Sequence, residues 1–372
     1  MFRALHLGDL LCSVPALRAL RRAAPQAHIA LVGLPWARSF VSRFSAYVDE
    51  LVEFPGYPGF PEREATAAAL QAFLSGMRRR SFDLALQLHG TGDDINDIVM
   101  DFGARRCGGF HPSGESAPGQ WFLPWPEQEP EIHRYLSLMR LLGATELDER
   151  LEFPLGDEDR EQALALLREL GLRSGRFLCV HMGARLRSRR WPTERFAQVV
   201  EYFAAAGWPV VLTGAAEETA LIESAGARLS PRLRSRVHSL LGRTSLGGVA
   251  ALVAHSRALL SNDTGLSHVA AAVGTPSVIV SSGGDARRWA PLDRQRHQVL
   301  WRDLPCRPCA HENCPIGHPC ALYIGPEEVI EAIKALLRNT ETTHGHGKST
   351  PAAHPHLAGS RQLSVLSEPG AA

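Results

Sequence analysis

Short apolar runs alternate with amphipathic stretches along almost the whole chain. The runs are leucine-rich or β-branched and show no alternation with polar residues, which is typical of parallel strands covered on both faces. The predicted buried strands are residues 2–7, 29–32, 82–88, 177–181, 210–213, 258–261 and 277–280.

The stretches between these runs have the spacing of helices with one buried face. The predicted helices are residues 13–23, 64–80, 158–170, 194–206, 217–229, 246–255 and 266–273. This strand–helix order predicts an α/β fold built from doubly wound parallel sheets.

The alternation is interrupted in three places. Proline-rich residues 111–130 are predicted to form an ordered loop region, and the Pro154-Leu155-Gly156 segment marks a domain boundary. Domains of roughly 100–200 residues are usual, so residues 1–154 and 155–338 are predicted to form two domains. The cleft between the two domains is then the expected ligand site. Residues 339–372 hold few large apolar side chains and are predicted to be a disordered tail.

Composition narrows the possible partners and compartment. The 40 Lys and Arg residues nearly balance the 39 Asp and Glu residues, so no nucleic-acid partner is expected. Basic clusters at residues 18–22 and 78–80 are either solvated helix faces or an attraction for an anionic acceptor or membrane. Scattered cysteines beside apolar residues, and the lack of a secretory signal or membrane span, predict a cytoplasmic location.

The first candidate site is the Gly8-Asp9 turn. It follows a predicted strand and precedes a helix, and ligands of such sheets bind at the carboxyl ends of strands. Asp9 is therefore a candidate catalytic carboxylate. The alternative is that it only caps the helix, because aspartate is a preferred N-cap residue.

The second candidate site is an arginine-rich turn that follows the strand ending at His181. Its basic residues are Arg185, Arg187, Arg189 and Arg190. Arginines packed this closely repel one another unless an anion lies among them, and their planar guanidinium groups suit a diphosphate. The alternative is a solvated basic loop.

The third candidate site comprises residues 261–276, where a strand ends in a turn of small polar residues. The backbone N–H groups at the following helix start form an anion site, and Thr264 and Gly265 allow a phosphate to approach closely. His268 lies one turn into that helix, where it can point to the ligand or serve as a core residue.

Two further segments carry candidate chemistry. Glu217 and Glu218 follow a strand–glycine junction, where a glutamate can bind ribose hydroxyls or simply complement a helix dipole. The cysteine cluster could hold zinc or an iron–sulfur cluster, or remain as thiols or a local disulfide. Its members are Cys306, Cys309, Cys314 and Cys320. No dinucleotide-binding glycine motif or P-loop motif is present at a strand–helix junction.

Together these motifs resemble glycosyltransferase family 9, the heptosyltransferases of lipopolysaccharide core assembly. The resemblance covers residues 1–338 in the family's order, and the Asp-Thr-Gly-Leu-Ser-His run is its most specific part. It is carried by Gly8-Asp9-Leu10-Leu11, Pro15-Ala16-Leu17-Arg18, Arg189-Arg190-Trp191-Pro192, residues 262–268, Gly274-Thr275-Pro276, Trp289-x-Pro291 and the cysteine loop.

The resemblance implies a GT-B fold, in which two Rossmann-like domains face a central cleft. Residues 1–154 would bind the acceptor and residues 155–338 the nucleotide sugar. The implied reaction is an inverting transfer of heptose from ADP-heptose, without a metal or cofactor, in which Asp9 matches the general base. The implied donor-binding residues are Arg189, Glu217, Asp263, Thr264, Gly265 and His268.

The resemblance also implies an ADP-sugar donor and a lipid-linked or oligosaccharide acceptor. Such an acceptor would bring the protein into peripheral contact with the inner face of the cytoplasmic membrane. The loop at residues 89–94, which follows a predicted strand, is either the acceptor-facing loop or an ordinary turn.

One departure keeps other functions open. Arg189 stands where the family usually has lysine, so another nucleotide-sugar donor is an alternative, as is a protein acceptor. A non-catalytic nucleotide-sugar binding protein is a third interpretation. The presence of both Asp9 and His268 argues against it.

Overall fold

A computed structural model of the protein describes residues 1–343, with side chains through residue 338. The chain divides into two compact α/β units, Met1–Arg150 and a second unit that begins at Leu151. The division therefore lies just before the boundary predicted after residue 154.

The first unit contains short parallel strands separated by helices. Its elements are α1 (Leu7–Ala23), β1 (Ala30–Gly33), α2 (Arg38–Arg43), β2 (Glu50–Glu53), α3 (Ala67–Arg79), β3 (Leu84–Leu86), α4 (Asp93–Met100), β4 (Arg106–His111), β5 (Phe122–Pro124) and α5 (Glu131–Leu141).

Phe2 joins the two sheets of this unit. β1 pairs with β2, and β3, β4 and β5 form a second parallel sheet. Phe2 makes a parallel bridge to Val32 on one side and to Gln87 on the other. The predicted strand 2–7 is thus reduced to one bridging residue. The prediction was wrong because α1 begins at Leu7, well before residue 13, and draws the chain out of the sheet.

In this unit, strands β2, β4 and β5 were not predicted. The β2 segment Glu50–Glu53 is only half-buried and has acidic ends. In β4, a side chain on Gly108 would come within 2.8 Å of Trp121 O, so glycine allows close strand packing rather than a turn. Residues 111–130, predicted as a loop region, contain β5.

The second unit contains one larger sheet. Its elements are α6 (Asp157–Glu169), β6 (Leu178–His181), α7 (Thr193–Ala205), β7 (Val210–Thr213), α8 (Thr219–Arg228), β8 (Val237–Ser239), α9 (Leu246–His255), β9 (Ala258–Asn262), α10 (Gly265–Ala272), β10 (Ser277–Val280), α11 (Ala286–Trp289), β11 (His297–Leu300), α12 (Pro319–Leu322) and α13 (Pro326–Thr343).

The six strands of this sheet are parallel and lie in the order β11-β10-β9-β6-β7-β8. This is the strand order of a dinucleotide-binding fold, in which the direction of winding reverses between the first and fourth strands. Here those strands are β6 and β9. A ligand is therefore expected at their carboxyl ends.

Both faces of this sheet are covered. Val180, Leu212 and Leu260 point into one core with side chains of α7, α8 and α13. The alternate residues Cys179 and Leu259 are also fully buried. Burial on both faces explains why these strands are continuous apolar runs.

The last helix extends further than predicted. α13 runs to Thr343, so the tail predicted from residue 339 begins inside a helix. A helix that is already formed gains one hydrogen bond per added residue and continues past its last apolar side chain. The rest of the predicted tail, residues 344–372, lies outside the described residues.

Candidate active site

The loops that follow β6 and β9 meet at the switch point of the second unit, where Asn262 joins them. Asn262 is fully buried. Its Nδ2 donates to Met182 O at 2.7 Å, and its Oδ1 accepts from the Trp191 N–H at 2.8 Å. An amide can donate and accept at once, so this side chain holds both ends of the arginine-rich loop.

The four arginines of that loop have different environments. Arg185 and Arg187 are exposed, and Arg190 Nε donates to Ala184 O at 2.8 Å. Arg189 is half-buried, and its Nε is buried without a hydrogen-bond partner. Because an unpaired buried donor is costly, Arg189 is the member of this set best prepared to bind an anion.

The predicted anion site lies at the start of α10. Thr264 is the N-cap residue, and its Oγ1 is buried without a partner. His268, one turn further on, is buried and packs edge-on against the Trp289 ring at 6.3 Å between centroids. The backbone N–H groups and dipole of α10 add to the positive potential at this end.

Gly284, in the loop after β10, brings Asp263 and Arg189 to one place. A Cβ at Gly284 would lie 2.7 Å from Asp263 Oδ2 and 3.7 Å from Arg189 Nη1. The carboxylate of Asp263 also accepts from Ser281 Oγ at 3.1 Å. The predicted residues Arg189, Asp263 and Thr264 are thus gathered at the carboxyl ends of β6, β9 and β10.

Arg307 was not among the predicted site residues. Its Nη2 donates to Gly284 O at 2.6 Å and to Ser281 Oγ at 3.1 Å. It therefore holds the loop that carries Ser281, which in turn holds Asp263. A lone arginine within the cysteine cluster was the only signal of this role in the sequence.

The cysteine loop supports the turn that carries Arg189. The Ser188 N–H donates to Glu312 O at 2.9 Å, and His318 Nε2 lies 2.8 Å from Ser188 O. The seven cysteines are free thiols. Within residues 1–343, no three His, Cys, Asp or Glu side chains are arranged to hold a metal ion.

The two adjacent glutamates face differently. Glu217 is exposed on the short 3-10 turn Ala216–Glu218. Glu218 Oε2 accepts from the Ala215 N–H at 2.9 Å, and a Cβ on Gly183 would overlap the Glu218 carboxylate. The structure thus brings Glu218, rather than the predicted Glu217, against the loop after β6.

His181 lies at the end of β6, where its burial favours the neutral imidazole. Burial lowers the pKa of His181, and the Glu218 carboxylate opposes this shift in part. Its Nδ1 lies 3.2 Å from Thr213 O, so we assign the proton to Nδ1. Nε2 is then an acceptor at the carboxyl edge of the sheet.

Asp9 lies in the first unit, in the first turn of α1. The N-cap residue is His6, and Asp9 Oδ2 accepts from the His6 N–H at 3.2 Å, so Asp9 helps to cap the helix from its third position rather than as the predicted N-cap. The side chain is still 20% exposed, and Arg3 Nη2 lies 3.4 Å from Oδ1. Capping therefore leaves the carboxylate within reach of solvent.

The other candidate regions of the first unit have mainly internal partners. In the predicted acceptor loop, Gln87 Nε2 donates to His89 O at 2.7 Å, and α4 begins at Asp93. In the basic clusters, Arg18 is buried and Arg21 lies 2.6 Å from Asp49. The burial of Arg18 contradicts both interpretations for that residue, and the interpretations of the other basic residues stay predictions.

The first unit also contains a cavity of about 360 Å³. It is lined by Met1 and by the starts of β1 and β3, including Ala30 and Leu84. These are the amino ends of the strands. The cavity therefore lies at the opposite edge from Asp9 and adds nothing to the candidate site.

A comparison with sequence models of protein families identifies the family of this chain. The model of glycosyltransferase family 9 (heptosyltransferase) matches residues 72–319. The chain belongs to glycosyltransferase family 9. It is therefore a glycosyltransferase, as the motifs predicted.

Curated relatives of this family 9 chain include lipopolysaccharide heptosyltransferases. Lipopolysaccharide heptosyltransferase 2 of Escherichia coli K12 is 24% identical over 90% of this chain and 97% of its own length. Lipopolysaccharide heptosyltransferase 1 of Pseudomonas aeruginosa is 31% identical over 42% of this chain and 46% of its own length.

Solved structures show the same fold. E. coli ADP-heptose lps heptosyltransferase II has a TM-score of 0.69 at 22% identity, covering 91% of this chain and 98% of that one. A family 9 protein from Veillonella parvula reaches 0.73 at 21% identity, with 91% and 96% covered. The predicted α/β fold class with parallel sheets is confirmed.

In the described part of this family 9 chain, none of the helices combines the length and the apolar character that a membrane span requires.

Proposed function

We propose that this enzyme transfers heptose from ADP-heptose to a hydroxyl of a lipopolysaccharide-core acceptor, with inversion and without a metal ion. The observation that carries the proposal is the set of unpaired groups at the switch point. Arg189 Nε and Thr264 Oγ1 are both buried and lack partners beside the start of α10. A diphosphate bound there would pair them.

The donor would bind in the second unit. Arg189 and the N–H groups around Thr264 and Gly265 would hold the diphosphate and stabilise the charge of the leaving ADP. Asp263 and His268 would contact the donor near its sugar and diphosphate. Glu217 was predicted to bind the ribose, and we extend that proposal to Glu218 because it packs against Gly183.

The acceptor would bind in the first unit. The Asp9 carboxylate would take the proton of the acceptor hydroxyl while that oxygen attacks the anomeric carbon. As the new C–O bond forms, the bond from the anomeric carbon to the diphosphate breaks and ADP leaves with its electron pair. Attack on the face opposite ADP inverts the anomeric centre.

A lipid-linked acceptor would place the reaction in the cytoplasm, at the inner face of the cytoplasmic membrane. The basic clusters give this contact little support. Arg18 is buried, and Arg80 is paired with Glu50. Recognition of the acceptor itself would then bring the enzyme to the membrane.

Turnover of the donor tests the proposal. Purified enzyme, ADP-heptose and heptose-deficient lipopolysaccharide should release ADP only when the acceptor is present. Asp9→Asn should lower kcat by roughly 100-fold or more, the usual contribution of a general base. NMR of the product reports the anomeric configuration, and EDTA tests the metal requirement.

The matched control is Asp83→Asn, which alters an exposed aspartate of the same unit. It should keep the wild-type rate. Full activity of Asp9→Asn would remove the base assignment. Binding and turnover of a different nucleotide sugar, with none for ADP-heptose, would overturn the donor.

A further inference from the structure

The buried side chain of Arg3 contacts Asp9. Arg3 is 1% exposed, and its Nε donates to Asp9 O at 2.8 Å. Its Nη1 donates to Leu88 O, and its Nη2 lies 3.4 Å from Asp9 Oδ1. One guanidinium group therefore contacts both the backbone and the carboxylate of Asp9. Because the group is planar, these contacts restrict the orientation of the carboxylate.

A buried glutamate holds Arg3 in turn. Glu131 begins α5, which packs against α1, and it is 1% exposed. Its Oε1 accepts from Arg3 Nη2 at 3.1 Å and from the Tyr135 hydroxyl, and its Oε2 accepts from Arg134 Nη1 at 3.0 Å. The Arg134 guanidinium stacks on the Trp125 ring, with Cζ 4.3 Å from the ring centroid.

These four charges alternate in sign from Arg134 through Glu131 and Arg3 to Asp9. The first three lie in the interior, and the series reaches solvent only at the Asp9 carboxylate. Buried ion pairs add little net stability, because desolvation offsets most of their attraction and apolar side chains of similar size would serve as well. Stability alone therefore does not account for the series.

We propose that Arg3 and Glu131 are positioning residues for Asp9. Glu131 holds the Arg3 guanidinium in place, and Arg3 holds the carboxylate in the orientation that receives the acceptor proton. The proposal rests on the proposed function, in which Asp9 is the general base. Arg3 remains protonated throughout, so the proton passes from the acceptor hydroxyl to Asp9 alone.

A double-mutant cycle on the full-length enzyme tests this. Arg3→Met should lower kcat about 100-fold, as a misplaced catalytic group does, and leave the donor KM unchanged. Arg3→Lys should recover part of the loss. In the Asp9→Asn background, where single-turnover assays measure the residual rate, Arg3→Met should cause no further loss, because residues that act as one unit are not additive.

The matched control is Arg18→Met, which removes another buried arginine from the same unit. Arg18 bonds to Asp148 O and Arg150 O, away from Asp9, so this variant should keep kcat even if its Tm falls. If Arg3→Met does not fold, Glu131→Gln takes its place in the cycle, with a smaller loss of kcat that again disappears in the Asp9→Asn background.

Two results overturn different claims. Equal losses from Arg3→Met in both backgrounds would show a structural role and overturn the positioning proposal, while Asp9 remained the base. Wild-type kcat in Asp9→Asn would overturn the base itself, and the positioning proposal with it.

Discussion

At the scale of single residues, Arg189 differs from Arg187 on the same turn in its surroundings. The Nε of Arg189 is buried without a hydrogen-bond partner, whereas the Arg187 side chain is 70% exposed. Arg189→Gln should therefore weaken ADP binding by roughly 10–100-fold, the loss expected for a hydrogen bond to a charged group. Isothermal titration calorimetry measures this directly.

Arg187→Gln is the matched control, because it removes the same charge from the same turn. Its affinity for ADP should stay close to that of the unaltered enzyme. Equal losses in both variants would mean that the turn attracts ADP through its total charge rather than through one oriented side chain.

At the scale of secondary-structure elements, the glycines of β4 set how closely the strands pack. Gly108→Ala would place a methyl group 2.8 Å from Trp121 O, and overpacking of this kind costs about 1–3 kcal/mol. Its Tm should fall by several degrees. The Cβ added by Gly226→Ala in α8 would have no atom within 4 Å, so this variant should instead stabilise the folded enzyme by about 0.5–1 kcal/mol. Thermal unfolding followed by circular dichroism compares the two, and a Gly108→Ala enzyme as stable as the unaltered one would contradict this account of β4.

The strands predicted with their observed bounds are those whose burial is local and continuous. β7 and β10 are apolar on both faces, and both were predicted with the observed bounds. β2 is half-buried, and β4 depends on glycines that permit close packing. Such strands can be identified only when the positions of the neighbouring strands are known.

In the candidate site too, only features formed by residues close together in the chain could be predicted. The turn from Asp263 to His268 could be located because strand, turn and helix follow one another in sequence. Arg307 acts through a loop far away in the chain, so no local pattern reveals it. The choice between Glu217 and Glu218 depended on a 3-10 turn, which rotates the two side chains in a way that a helical pattern does not predict.

At the scale of the whole molecule, each unit has a core of its own. The second contains the switch point, the arginine-rich turn and the cysteine loop. Residues 151–343 should therefore fold alone, unfold cooperatively and bind ADP with nearly the affinity of the full chain. Calorimetry on this fragment checks the expectation. A folded fragment that does not bind ADP would show that the first unit contributes donor contacts.

The packing of the cysteine loop against Ser188 makes the protein suitable for a fluorescent sensor. Cys306 is exposed, whereas Cys12, Cys179 and Cys320 are buried. Burial also raises the pKa of Cys179 to about 12, so its thiol is far less reactive near neutral pH. A dye attached at Cys306 would sit on the loop that supports the Arg189 turn, and its emission would follow the arrival and departure of the nucleotide in real time.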